Sequence, residues 1–168
     1  MQKTNHNAMK HRLIPIIAIA ASLLLNLAGC SDRPSDFVFR DYFVSISSES
    51  GDVSSSVLSS ADNLVLQYPV RLVSQEREED LTVEFEVVPG DGLQEGVDYV
   101  LPAKKSVTFS NKEYLKYIRI NYLKHKLDEG KDNTLVIRLT STSDPSVGIG
   151  YPGPSKRFSS HTVTKVNK

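Results

Sequence analysis

Apolar and polar residues alternate with a period of two along most of this chain, and no window of helical length shows the 3.6-residue periodicity of an amphipathic helix. Such alternation places successive side chains on opposite faces of a β-strand. The alternating runs centre on 64–73, 81–87, 107–109, 118–122 and 135–139. Turn-forming segments such as Pro89–Gly92 and Asp128–Asn133 separate these runs. The sequence therefore predicts an all-β fold, an antiparallel sandwich of about seven strands.

The two ends of this pattern are less regular. The opening strand, 37–46, changes register near Arg40, which predicts a bulge or a strand that switches sheets. The Ser-rich segment 45–60 indicates a long loop or weak edge pairing, and Pro69 places its strand at an edge or a bulge. Gly148–Pro154 is too rich in Gly and Pro for regular ladder pairing, so we expect a crossover loop before a closing strand near 162–166.

The first 29 residues have the composition of a secretory signal. Leu13–Leu27 is almost wholly apolar, and its length of about 15 residues falls short of the roughly 20 that a transmembrane helix needs. Pro15 further weakens a permanent membrane span. Basic residues precede this segment: Lys3, Lys10, His11 and Arg12. We therefore expect the segment to be cleaved from the mature protein.

The segment ends in Leu27-Ala28-Gly29-Cys30, which resembles the lipobox of bacterial lipoproteins. The resemblance implies cleavage before Cys30 by signal peptidase II and attachment of a diacylglyceryl group to its thiol. More than one acyl chain on the cysteine would give a stable membrane anchor. The chain then divides into a signal peptide at 1–29, a lipid-anchored tether at 30–36 and a sandwich domain at 37–168.

The charge of the mature chain limits the class of partner, and its cysteine content limits the covalent links within it. Removal of 1–29 leaves 17 basic and 20 acidic residues, and this mildly acidic balance argues against a nucleic-acid partner. A single cysteine excludes an intrachain disulfide.

The tether Ser31–Asp36 reaches only about 20–25 Å when extended. We expect an outer-membrane, lipid-anchored protein of the cell envelope, with periplasmic and surface exposure both open.

The order of the central strands resembles the Calx-beta module, an immunoglobulin-like sandwich. The matching segments are Leu81–Phe85, Glu95–Tyr99, Val107–Phe109, Tyr117–Ile120 and Leu135–Leu139. The resemblance covers about 60 residues and implies a Calx-beta-like fold for the domain. The layout is also similar to that of uncharacterised cell-envelope lipoproteins that accompany outer-membrane glycan-import systems, which implies a glycan or an outer-membrane protein as partner.

The chain departs from the calcium-binding members of that family. Those members carry a cluster of aspartates where this chain has Lys124-His125-Lys126. Ca²⁺ takes six to eight oxygen ligands, and two lysines at this place would repel it. Four acidic residues remain as weak calcium candidates: Glu95, Asp98, Asp128 and Glu129. A solvated acidic turn is the alternative, and we expect no metal and no cofactor.

Three tyrosines are candidates for an exposed aromatic platform that binds a ligand. Tyr117 has the opposite parity to Ile118 and Ile120, so its side chain should point outward. Tyr114 and Tyr151 are the other two candidates, although isolated surface tyrosines are common.

No pattern in the sequence indicates a catalytic site. His125 and His161 are the histidines of the mature chain, and neither belongs to a metal-spaced pair or a known hydrolase motif. We therefore expect a non-catalytic accessory or binding lipoprotein linked to glycan capture or import. The alternatives are a structural or adhesion module and, third, a hydrolase built from distant loops.

Overall fold

The computed structural model describes residues 41–51 and 53–167, and within these residues every regular element is a β-strand. The compact unit to which they belong spans Phe39–Lys168. The described residues form ten strands: β1 (Phe43–Ile46), β2 (Ser55–Ser59), β3 (Leu64–Val73), β4 (Leu81–Pro89), β5 (Tyr99–Val100), β6 (Ser106–Phe109), β7 (Leu115–Tyr122), β8 (Thr134–Thr142), β9 (Gly148–Ile149) and β10 (Ser160–Val166). The described part of the chain holds no helix long and apolar enough to cross a membrane.

The strands form two five-stranded sheets, with orders β5-β7-β3-β1-β9 and β2-β10-β8-β4-β6. The predicted all-β sandwich is therefore confirmed. Seven of the strands correspond to the seven predicted ones, namely β1, β3, β4, β6, β7, β8 and β10. The structure differs in adding β2, β5 and β9, and in pairing β2 with β10 and β9 with β1 in parallel.

The distribution of strands between the sheets is close to that of immunoglobulin-like sandwiches. Among the seven predicted strands, the first, second and fifth (β1, β3 and β7) share one sheet, and the third, sixth and seventh (β4, β8 and β10) share the other. The fourth strand, β6, joins the second sheet instead of the first. This placement leaves β7 with little cover at one edge, and a surface groove lies there.

Alternation builds the core. On β7 the side chains of Ile118, Ile120 and Tyr122 are buried, whereas their sequence neighbours are exposed. Tyr122 and Tyr68 meet at the centre of the core, where their hydroxyl oxygens lie 2.7 Å apart. Since burial disfavours the phenolate, the pKa of Tyr68 rises to about 12 and that of Tyr122 rises further. The two hydroxyls therefore satisfy each other inside an apolar layer.

Pro69 marks the place where β1 stops pairing with β3. The last register pair is Ile46 with Val70, and the N–H of Ser47 then donates to the carbonyl of Pro69 at 3.2 Å. Proline has no N–H to return that bond, so the ladder ends there. The prediction that Pro69 places its strand at an edge or a bulge was wrong, because β3 lies between β7 and β1. Proline is tolerated at this position because β1 has already ended opposite it.

After β1 the chain crosses to the other sheet and forms β2. The Ser-rich segment predicted as a loop or a weak edge strand contains this edge strand, which pairs in parallel with β10 from Ser55 opposite Thr162 to Ser59 opposite Val166. Leu58 is the only one of its five side chains that is buried. The strand forms because β10 offers an unpaired edge, and the local sequence contributes little.

The Gly- and Pro-rich segment pairs more than its composition predicts. Gly148 and Ile149 form β9 beside β1, so the expectation that this segment would not join a ladder was wrong at its first two residues. At Gly150 the backbone turns with a φ of 76°, and a Cβ there would lie 2.5 Å from the carbonyl oxygen of Lys156. Glycine at 150 therefore allows the turn that follows β9.

Candidate functional site

The predicted ligand-binding tyrosines do not form one platform. Tyr114 and Tyr117 lie just before and within β7, whereas Tyr151 follows β9, and β3 and β1 separate these two strands. Tyr117 is 42% exposed and confirms the outward parity predicted for it. Tyr151 is 39% exposed, but its ring packs against Phe43 and Phe158 at centroid distances of 5.1 and 4.9 Å. Tyr151 therefore has a structural role in holding its loop.

A groove opens along the side of the sandwich between β7 and β6, and we call it the β6–β7 groove. It exists because β5 pairs only with Asn121 and Tyr122, so the preceding part of β7 has no strand on that side. The groove has a volume of about 410 Å³. Its lining residues are Phe85, Pro102, Lys104, Ser106, Val107, Leu115, Lys116, Tyr117, Ile118 and Arg119. Tyr117 is thus the one predicted ligand-binding residue that lines it.

The β6–β7 groove is positively charged. Its lining includes Lys104, Lys116 and Arg119 and contains no carboxylate. Just outside the lining, Glu113 accepts a 2.6 Å bond from the ammonium of Lys116, which lowers the pKa of Glu113. Arg119 donates from Nε to Gln67 at 3.2 Å, and its terminal nitrogens have no other partner within residues 41–51 and 53–167. The groove therefore presents cationic donors to any ligand that enters.

Asp98, one of the four weak calcium candidates, is already paired with a cation. The ammonium of Lys165 lies 3.6 Å from Asp98 Oδ1, and both side chains are almost fully buried. His125 Nδ1 lies 3.0 Å from the same oxygen, and the N–H of Gln94 donates to Oδ2 at 2.9 Å. Burial lowers the pKa of Lys165, and the carboxylate of Asp98 opposes that shift. The position that a metal ion would take beside Asp98 is thus held by an ammonium group.

The same ammonium also binds backbone oxygens. Lys165 Nζ donates to the carbonyls of Leu123 at 2.8 Å and Asp98 at 3.2 Å. Two loops that begin in different strands are therefore fixed to β10 by one side chain. The sequence prediction did not include Lys165, although the residue lies two positions after buried Val163 on the same strand.

The other three acidic candidates have separate roles. Asp128 Oδ1 accepts the N–H of Gly130 at 3.0 Å and so closes a turn. Glu129 Oε1 accepts a 3.0 Å bond from Asn167, and Glu95 forms a β-bridge with Tyr99. Across the described residues no three His, Cys, Asp or Glu side chains are grouped to hold a metal ion. The four candidates therefore do not come together as ligands.

A second cleft lies between β2 and β3, and the buried His161 contacts Ser56 and Tyr68 of its lining. His161 is fully buried, and its Nε2 lies 3.0 Å from the hydroxyl of Ser56. Its Nδ1 lies 3.2 Å from the carbonyl of Val53, which can only accept, so Nδ1 carries the proton and Nε2 accepts from Ser56. Burial lowers the pKa of His161 and keeps the ring neutral. These bonds tie the edge strand β2 to β10.

A neutral, buried His161 predicts that the protein loses stability in mild acid. Because the pKa of His161 is lowered on folding, the unfolded chain takes up a proton below about pH 6.5 that the folded chain refuses. The free energy of unfolding should then fall by up to about 1.4 kcal/mol per pH unit, until the pKa of the folded state is reached. Urea denaturation at several pH values measures this loss, and an NMR titration that found the pKa of His161 at or above 6.5 would contradict it.

Comparison with known proteins supports the fold. No family model matches the sequence, and no curated protein matches it. Among solved structures, it is similar to a crystal structure from Bacteroides ovatus described as a structural-genomics protein of unknown function, with 13% identity and a TM-score of 0.51. The match covers 75% of this chain and 47% of that chain, so this chain spans about half the length of that protein. At this identity the likeness shows a shared fold alone.

Proposed function

We propose that this protein is a lipid-anchored, non-catalytic binding module of the bacterial cell envelope, with a Calx-beta-like domain. The observation that carries the proposal is Leu27-Ala28-Gly29-Cys30 at the end of a basic and then apolar segment. Cys30 lies outside the described residues. Its acylation would fix the module to a membrane surface, for which we propose the outer membrane.

The distance between anchor and domain supports a function close to that membrane. The first strand of the described residues begins at Phe43, and the 13 residues from Cys30 to that point span at most about 45 Å when extended. The module would then act beside the membrane that holds it. An outer-membrane protein or a glycan delivered to one is the partner that fits this position.

The β6–β7 groove supports a binding role for the domain. It combines the exposed ring of Tyr117 with three cationic side chains, Lys104, Lys116 and Arg119, in an open channel. A structural or adhesion module is the alternative, and its calcium-dependent form has less support because Asp98 is paired with Lys165 and the other acidic candidates serve turns and loops.

Intact-mass and peptide mass spectrometry of the full chain, expressed in a bacterium and purified from its membranes, tests the anchor. We expect the mature protein to begin at Cys30, with residues 1–29 removed and a mass increase on that residue equal to a diacylglyceryl group, with or without a third acyl chain. A mature N-terminus at another residue, or an unmodified Cys30 thiol, would contradict the proposal.

A further inference from the structure

We infer that the β6–β7 groove binds an anionic oligosaccharide, that is, a sugar chain carrying carboxylate or sulfate groups. The inference deepens the proposed binding function and rests on it for its biological setting. Its structural evidence is the shape, the charge and the exposed aromatic ring of the groove.

The shape suits a small ligand more than an extended strand. With about 410 Å³ the groove falls within the roughly 300–1,000 Å³ of small-molecule sites. Residues 101–105 pass from β5 in one sheet to β6 in the other, and Pro102 and Lys104 of this crossing line the groove. A polypeptide strand added along β7 would meet this crossing segment, whereas one or two sugar rings would fit beside it.

The charges select an anion. Arg119 keeps its terminal guanidinium nitrogens unpaired, and this planar group binds carboxylate or sulfate oxygens with two parallel hydrogen bonds. Lys104, an exposed residue of the crossing segment, is a second cation in the lining. Lys116 is held by Glu113, so its charge is partly balanced and its position is fixed. The described residues of the lining offer no carboxylate to repel an anion.

The apolar surface suits a sugar ring. Tyr117 and Leu115 are 42% and 43% exposed on the same face of β7, and Pro102 lies at the crossing segment. A tyrosine ring offers a flat apolar surface with a polar hydroxyl at its end, which matches the mixed character of a sugar. Backbone groups on the unpaired edge of β7 can bond the sugar hydroxyls.

Isothermal titration calorimetry of the full chain, purified in detergent, tests the inference with four probes. Tetragalacturonate is the carboxylate probe, and its methyl ester has the same rings without the charge. A κ-carrageenan tetrasaccharide, which carries sulfate groups and no carboxylate, is the sulfate probe, and poly-glutamate is an acidic peptide. We expect one of the two charged sugars to bind and the methyl ester to bind at least about tenfold more weakly, with affinity falling as salt rises.

Substitutions of residues that line the groove test whether the sugar binds there. Arg119→Gln, Lys104→Gln and Tyr117→Ala should each weaken binding of the charged sugar by about fivefold to tenfold. Tyr114→Ala and Lys126→Gln are matched controls, because both residues are exposed and neither lines the groove, and they should leave the affinity within about twofold. Far-UV circular dichroism verifies that each variant folds.

Three outcomes would overturn the inference: no charged sugar binding, poly-glutamate binding as tightly as the sugars, or equal loss in the groove and control variants. Failure here is distinguishable from failure of the proposed function. An acylated Cys30 with no sugar binding would remove this inference alone, whereas sugar binding by a protein that lacks the acyl group would remove the anchor and keep the groove.

Discussion

Replacing Lys165 with methionine is expected to lower the free energy of unfolding by about 3–5 kcal/mol. Both Lys165 and Asp98 are nearly inaccessible to solvent, and their charged atoms lie 3.6 Å apart. Methionine fills a similar volume but removes the cation, so the carboxylate of Asp98 keeps only the hydrogen bonds from Gln94 and the half-exposed His125. A buried charge that has lost its partner is among the largest single destabilising changes known for a small domain.

The same substitution also removes two hydrogen bonds to backbone oxygens. The carbonyls of Leu123 and Asp98 accept from the ammonium of Lys165, and each loses this donor in Lys165→Met. The carbonyl of Asp98 still accepts the N–H of Leu123 at 2.9 Å, so only the carbonyl of Leu123 is left without a donor among the described residues, and one such unpaired acceptor costs about 1–3 kcal/mol of desolvation. The loops that lead to β5 and away from β7 should therefore loosen first.

A double variant separates the charge effect from a packing effect. Asp98→Asn combined with Lys165→Met removes both charges, and it should be more stable than Lys165→Met alone, because no unpaired charge remains. Lys126→Met is the control, since Lys126 is exposed at the same end of the sandwich and its loss should change stability by less than about 0.5 kcal/mol. Urea denaturation followed by circular dichroism measures all three. A Lys165→Met variant as stable as wild type would contradict this account of the core.

The long strands could be predicted from the sequence because each buries one face. Two-residue alternation defines β3 over its full length and the central parts of β4, β7 and β8, which extend one to three residues beyond the predicted runs, and the same rule placed Tyr117 on the outer face. Local sequence determines these strands because a shift of one residue would expose an entire apolar face.

β5 and β9 could not be predicted, and β2 was predicted only as one of two alternatives, because the causes of these strands are not local. β5 and β9 have two residues each, and β2 is mostly serine, so none carries an alternation signal. They form where a long strand already present offers an unpaired edge. The β6–β7 groove exists because β5 is short, so the groove could not be predicted from the sequence either.

The buried polar residues of β10 follow an alternating pattern, but their residue types are not typical of a core. His161, Val163 and Lys165 share one parity on β10, and all three are buried. Their alternation with threonines is the pattern of an inward face, but a histidine and a lysine are not read as core residues. Their burial follows from partners far along the chain, Ser56 for His161 and Asp98 for Lys165.

The lipid anchor is the central claim, and replacing Cys30 with serine should have an all-or-none effect on it. The chain has one cysteine, so a thioether-linked lipid can be attached at no other residue. Serine keeps the size of the side chain and removes the thiol that would accept the diacylglyceryl group. Tyr117→Ala is the matched control, because it alters the proposed groove and leaves the anchor untouched.

Metabolic labelling with an alkyne fatty acid, followed by purification of the full chain and attachment of a fluorophore, gives the most direct measurement. Wild type and Tyr117→Ala should carry equal label per molecule, and Cys30→Ser should carry none. A Cys30→Ser protein labelled as strongly as wild type, or a wild type without label, would contradict a membrane-anchored module.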